Sequence, residues 1–420
     1  MDATILKTII YEQHEIIRNE VIIPRDYELE ENGNYVIIGL RRAGKTTLLH
    51  KVVQDLVASG VSWEQIIYIN FEDERLLGFN VNDFDDIMKV AGELTDQKPF
   101  FFLDEVQIVD QWEHFARRLA DAKERVYITG SNAQMLSSEI ASTLGGRYLI
   151  KKIDPYSWKE FLTASHQSFT EKDLLVSKTR GQIRKKWNEY LEYGGLPEVL
   201  LYHNKREYLS GVYQKIYLGD IVRRNNIRND MAVHMLIKKM AEAVRNDVSY
   251  SKLNNTVNSV GVKVTKMSLI SYVDHAKAAF LIFDVKNYFS KFSERASNPN
   301  YYFSDNGILN LFLFDKSSIL LENAVAIHLH RLYGADLYFL KSVQNGIDID
   351  FFVPETKTVY QVAYSLEGEA YEREIGGIVK LSQKFSEASR FVIITNDEER
   401  TVETSGLKIE VIPAYKYLLK

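Results

Sequence analysis

Residues 34–50 read NYVIIGLRRAGKTTLLH. Tyr35 to Ile38 is an apolar run suited to a buried strand, Gly39 to Thr46 spells G-x-x-x-x-G-K-T, and the residues from Lys45 onward suit a helix. A loop of this kind aims several backbone N–H groups at one point, where the helix dipole also favours negative charge. The stretch therefore predicts a phosphate site. Gly39 and Gly44 let the backbone approach a ligand with no Cβ in the way, and Lys45 can reach β- and γ-phosphates. The Thr46 hydroxyl can ligate Mg²⁺, while Arg41, Arg42, Ala43 and Thr47 complete the cradle.

The acids such a loop needs lie further along. Two apolar runs, Gln65 to Phe71 (QIIYINF) and Pro99 to Leu103 (PFFFL), read as strands, the second continuously apolar as a strand covered on both faces should be. The first ends in Glu72, Asp73 and Glu74, which could hold a water or a metal or simply form a solvated loop. The second ends in Asp104 and Glu105. Following a phosphate loop, that pair points to nucleoside triphosphate hydrolysis, with Asp104 on Mg²⁺ and Glu105 on the attacking water. A fourth strand, Arg125 to Thr129, leads to Gly130, Ser131 and Asn132. Asn132 reads two ways: it senses the γ-phosphate, or it caps the next helix. Before the loop, Thr4 to Glu20 has helical spacing, with Ile5, Ile9, Ile10, Ile16 and Ile17 on one face.

Composition bounds the remaining possibilities. A chain of 420 residues exceeds one ordinary core and predicts two to four domains. Its 45% hydrophobic and 26% charged residues are ordinary for a folded soluble chain. The absence of cysteine excludes disulfides, thiolate metal sites and cysteine nucleophiles. No apolar run approaches the ~20 residues of a membrane span, and the charged N-terminus is unlike a signal peptide, so a cytoplasmic location with no membrane partner is expected. Net charge is −5, yet residues 211–290 hold 12 Lys+Arg against 6 Asp+Glu, which predicts an anionic partner there.

GLRRAGKTTLL, FFFLDEVQ, ITGSN and TLGGR together resemble the bacterial and archaeal AAA-type ATPases that share a D-E-x-Q strand end, here Asp104, Glu105 and Gln107. The resemblance implies an α/β domain with a parallel sheet at residues 1–155, ATP with Mg²⁺, and Asn132 as a first sensor. It also makes Arg147 a candidate for completing a nucleotide site in its own subunit or a neighbour's, hence a homo-oligomer. From the residues alone, Arg147 is equally a surface arginine after Gly145-Gly146. The same group carries a Gly-Gly-x-Pro-Glu segment like Gly194 to Glu198, within a helical lid or connector expected over 156–210.

Residues 211–290 follow the plan of a winged helix: a helix over Met231–Arg245, a short helix over Ser249–Ser259, a turn at Gly261, and a longer helix over Thr265–Ala276. A strand at Ala279–Val285 with its return at Lys286–Phe289 would form the wing. Thr265 and Lys266 would lead a recognition helix in double-stranded DNA, with Lys263, Lys266, Lys277 and Lys286 on phosphates. Residues 291–420 resemble the restriction-endonuclease-like fold, with Glu322, Asp350 and Gln361 at its metal-binding positions. The lysine position holds Ala363, which makes nuclease activity unexpected, though Lys380 could substitute. The rival to control of DNA binding is a nucleotide-dependent protein scaffold.

Overall fold

The computed structural model describes residues 1–136, 138–167, 176–244, 249–259, 261, 263–290, 298–314 and 317–419. They form two units, residues 1–154 with 278–280, and residues 155–277 with 281–420.

The first unit is built on five parallel strands, β1 (Tyr35–Gly39), β2 (Ile66–Asn70), β3 (Phe100–Asp104), β4 (Arg125–Gly130) and β5 (Leu149–Ile153), in the order β2-β3-β4-β1-β5. Its helices are α1 (Ala3–Asn19), α2 (Lys45–Ala58), α3 (Phe84–Leu94), α4 (Trp112–Asp121) and α5 (Ser138–Leu144). β1 is buried at every position, as a central parallel strand covered on both faces must be. β5 escaped the sequence reading because LIKKI is an edge strand, and its outer residues are exposed. α1 is capped by Asp2, whose carboxylate accepts from the Thr4 N–H at 2.7 Å. Its buried face is Leu6, Ile9, Ile10, His14 and Ile17; Ile16, expected on it, is 53% exposed.

The second unit contains α6 (Trp158–Ala164), α7 (Ser177–Tyr193), α8 (Lys205–Gln214), a π-helix (Lys215–Arg223), α9 (Asp230–Glu242), α10 (Tyr250–Ser259) and α11 (Lys266–Ala278). An eight-stranded sheet follows, with β6 (Ile282–Asn287), β7 (Asn300–Phe303), β8 (Tyr338–Ser342), β9 (Ile347–Val353), β10 (Thr358–Val362), β11 (Arg390–Thr395), β12 (Arg400–Thr404) and β13 (Leu407–Pro413). The order is β12-β13-β11-β10-β9-β8-β6-β7. Between and beside the strands lie α12 (Asn306–Asn310), α13 (Ser317–Tyr333), α14 (Glu369–Ser382) and α15 (Ala414–Tyr417).

Two sequence expectations change here. The strand expected as the first of a wing is present, but its antiparallel return is β7, not Lys286–Phe289. Lys286 and Asn287 instead pair in parallel with Tyr338 and Phe339, so a boundary at residue 290 would cut through one continuous sheet. The described part of 156–210 is built into the second unit rather than standing as a separate lid: Trp158 is buried and donates its indole N–H to the Tyr415 carbonyl at 2.9 Å. Arg245, the expected end of α9, lies outside the described residues.

The Gly-Gly-x-Pro-Glu segment has a structural reason. Gly195 N–H donates to Asp305 Oδ2 at 2.8 Å, and Ile308 N–H, at the start of α12, donates to Oδ1 at 3.1 Å. Burial pushes the Asp305 carboxyl up to about 6, against the backbone N–H groups of Gly195, Ile308, Gly307 and Leu196 that favour its charged form. A Cβ on Gly194, at φ +74°, would stand 2.3 Å from Asp305 Oδ1, and one on Gly195 would stand 2.3 Å from the Tyr156 carbonyl oxygen. The glycines therefore let two backbone segments close around a buried carboxylate.

Candidate nucleotide site

The loop between β1 and α2 opens at the C-terminal edge of the sheet. Gly39 has φ +148° and its missing Cβ would lie 2.0 Å from the Ile153 carbonyl oxygen; Gly44, at φ +100°, turns the chain into α2. Behind the loop, Arg25 donates to the carbonyls of Ala43 at 2.8 Å and Asp154 at 2.7 Å, tying the loop to the end of β5. Arg41 meets Glu72 at 3.0 Å, so one of the acids after β2 serves the loop; Asp73 is held by Arg75. Ala43 is buried, Arg42 has φ +65° and an exposed side chain, and Thr46 and Thr47 are half-buried on the first turn of α2.

Lys45 is 4% exposed, and its ammonium donates to the carbonyls of Gly39 and Leu40, both at 3.2 Å. Glu105 Oε1 lies 3.9 Å from Lys45 Nζ. The Thr46 hydroxyl donates to Asp104 Oδ2 at 2.9 Å, across 58 residues of sequence. The two motifs meet because β4 alone lies between β1 and β3.

β4 also supplies what the motif reading missed. Thr129 donates to Asp104 Oδ1 and accepts from the Glu105 N–H at 2.9 Å. Tyr68, from β2, donates to Asp104 Oδ2 at 3.0 Å. Three hydroxyls therefore orient one fully buried carboxylate. Burial raises its pKa, the neighbouring Glu105 charge adds to the rise, and the hydroxyls oppose it. The hydroxyl of Thr46 and the carboxylate of Asp104 form an all-oxygen set that suits Mg²⁺. Tyr68 itself packs beside His50, whose Nδ1 pairs with Glu20 just beyond α1. Nothing in a run such as QIIYINF distinguishes this tyrosine from a core aromatic.

Glu105 sits in the left-handed region, φ +52° and ψ +37°, a conformation that costs of order 1–3 kcal/mol in a residue with a side chain. Gln107 donates its amide to Glu105 Oε2, which gives the last letter of D-E-x-Q a role in holding the glutamate. Ser131 and Asn132 are both buried just past β4. The Asn132 carbonyl accepts from Met135 N–H at 3.2 Å, closing a turn, while the buried Ser131 hydroxyl has no hydrogen-bond partner among the described residues.

Arg147 is not gathered with them. It precedes Leu149, which is level with Tyr35 at the opposite end of β1 from the loop, about 13 Å away by strand rise. Its Nε donates to Asp121 Oδ1 at 2.6 Å. In its own chain it does not reach the loop.

In the second unit, β9 and β10 pair from Val353–Thr358 to Phe351–Tyr360 and then lose the ladder. Side chains take over: Val362 N–H donates to Asp350 Oδ2 at 2.7 Å, and Asp350 N–H to Gln361 Oε1 at 3.3 Å. Glu322 is buried and accepts from the Tyr302 hydroxyl at 3.0 Å. Ala363 brings no charge, and Lys380 lies against Gly346, about 13 Å of strand from Asp350, so the expected substitute lysine is elsewhere. The three residues do not fit a metal centre with an activating lysine. Among the basic residues, Lys263, Lys266 and Lys286 are exposed, Lys277 pairs with Asp284, and the Thr265 hydroxyl caps α11 by accepting from Ser268 N–H at 3.1 Å. No described helix is long and apolar enough to cross a membrane.

The AAA domain family model matches residues 31–162, and a model described as a domain of unknown function (DUF8612) matches residues 184–318. The "Uncharacterized protein MJ1544" of Methanocaldococcus jannaschii is 32% identical over all of this chain and 96% of its own length. An "Uncharacterized protein" of Haemophilus influenzae is 30% identical over 92% of this chain and 94% of its own. Among solved structures, the Walker-type ATPase PABY2304 of Pyrococcus abyssi is similar over 73% of this chain and 94% of its own, at 12% identity and a TM-score of 0.40. The chain belongs to the same family as the Methanocaldococcus jannaschii protein, and its residues 31–162 carry an AAA-type P-loop domain.

Proposed function

We propose that this chain binds ATP with Mg²⁺ at the β1–α2 loop and hydrolyses it. The observation that carries the reading is the cluster itself, with Thr46 2.9 Å from Asp104 and Lys45 3.9 Å from Glu105. Lys45 exchanges the Gly39 and Leu40 carbonyls for β- and γ-phosphate oxygens, and the loop N–H groups bind the rest of the anion. Thr46 and Asp104 hold the metal, which neutralises charge on the phosphates. Glu105 accepts the proton of the attacking water, its orientation fixed by Gln107 and by its own constrained backbone. Asn132 or the Ser131 hydroxyl contacts the γ-phosphate. Arg147 acts only when a second copy of the chain presents it, which makes the active species an oligomer.

Nucleotide state governs the second unit, whose exposed Lys263, Lys266 and Lys286 bind double-stranded DNA. In the alternative, the same basic segment serves protein partners only. Glu105→Gln should retain ATP while hydrolysis falls by 10²-fold or more, about 2.7 kcal/mol or more of barrier; Lys45→Ala should abolish retention. Normal turnover by Glu105→Gln would reject the assignment. Retention on duplex DNA that weakens with salt, and is lost on replacing Lys263 and Lys266, would favour the DNA reading over the scaffold.

A further inference from the structure

A groove of about 620 Å³ lies on the second unit, floored by the outer face of α8 and the π-helix and walled by α9 and residues 311–314. Its centre is aromatic. Tyr213 packs edge-on against Phe312 at 4.9 Å and parallel to Tyr217 at 5.8 Å, and Tyr217 meets His234 at 5.9 Å. Phe314, at one edge, is 93% exposed, and Leu218 is 39% exposed. Such apolar surface is costly to leave in water. The π-helix, a form of backbone concentrated at functional positions, brings Tyr217 and Leu218 onto the same side as Tyr213.

The charged side chains among the described residues of the groove, Arg206 and Lys238, have one sign. Arg206 donates only to the carbonyls of Asn310 and Leu311, at 3.5 and 3.3 Å, and neither it nor Lys238 makes an ion pair among the described residues. No acid lines the groove among the described residues; Glu207, in the shallow depression beside it, accepts from Asn204 at 2.7 Å. The Tyr213 hydroxyl, on a residue only 6% exposed, is a buried polar atom without a partner among the described residues.

We propose that this groove docks an acidic peptide segment of a partner protein, with a large apolar or aromatic side chain seated among Tyr217, Leu218 and Phe314 and carboxylates reaching Arg206 and Lys238. The two cations sit on different helices, Arg206 on α8 and Lys238 on α9, in a groove whose other lining is largely aromatic and apolar, which suits a chain that carries acids beside an apolar anchor. Single-stranded nucleic acid fits less well, because the rings of Tyr213, Tyr217 and Phe312 pack on one another instead of standing apart to sandwich a base.

The test pans a phage-displayed library of random 12-residue peptides on the full chain, then measures fluorescein-labelled winners by polarisation. Enrichment of sequences with excess Asp and Glu around an aromatic residue is expected. So is at least tenfold weaker binding to Lys238→Glu and to Phe314→Asp, both of which should melt like the parent because they alter exposed or half-buried side chains. The proposal is overturned by no enrichment, by neutral or basic winners, or by variants that bind as the parent does. Displacement of the peptide by oligo(dT) at lower concentration would also overturn it, assigning the groove to nucleic acid.

Discussion

Gly194→Ala places a methyl group where the structure has a carboxylate. The added Cβ would stand 2.3–2.5 Å from Asp305 Oδ1, Oδ2 and Cγ, well inside contact distance. Gly194 also has φ +74° and ψ −164°, a region essentially reserved for glycine, which costs an alanine of order 1–3 kcal/mol. Displacing the carboxylate forfeits at least one charge-assisted bond, such as that from Gly195 N–H, for roughly 1.5–3 kcal/mol more. Together these give about 2.5–6 kcal/mol, or a melting temperature lower by roughly 5–24 °C for a unit of this size. Differential scanning calorimetry would read the loss, and hydrogen exchange would locate it at Tyr156, Gly194–Gly195 and Asp305–Ile308. Gly181→Ala is the control: it lies within α7 with open space at its Cβ, so alanine should be neutral or stabilising by about 0.5–1 kcal/mol. If Gly194→Ala melts with Gly181→Ala, the account of the Gly-Gly segment is wrong.

Asp305 also predicts a pH dependence. Its folded pKa, pushed up to about 6, lies above the ordinary carboxylate range, so its burial as an anion costs stability in full above about pH 7, and the cost fades as pH falls toward the unfolded value near 4. The difference in unfolding free energy between the parent and Asp305→Asn should therefore shift in the parent's favour by about 2–3 kcal/mol from pH 7 to pH 4; a flat difference would contradict the buried-anion account. Tyr68→Phe removes one hydroxyl from Asp104, a bond worth about 1.5–3 kcal/mol. The Mg²⁺ concentration for half-maximal binding of a fluorescent ATP analogue should rise on the order of tenfold, and an unchanged midpoint would deny Tyr68 a part in orienting the carboxylate.

The loop and the two acids at the end of β3 were legible because their chemistry is local: a glycine-permitted bend, a helix start, and carboxylates ending an apolar run. Parallel strands buried on both faces, such as β1 and β3, announce themselves by composition alone. The exposed edges β5 and β12 lack that signal, since solvent tolerates their lysines, arginines and glutamates. The wing was misjudged for a related reason. Which strand returns beside β6 is a question of long-range pairing, and β7 lies thirteen residues beyond Asn287.

What the chain order fixed by itself was the phosphate loop, its helix and the acids that face it. Only the tertiary structure decided that β4 would stand between them and bring Thr129 onto Asp104, that β2 would bring Tyr68 to it from the other side, that Arg147 would lie at the opposite end of β1, and that Gly194 and Gly195 would close around Asp305. The physical reason is that a backbone constraint is written in neighbouring residues, whereas the partner of a buried polar group is chosen by packing between segments far apart in sequence.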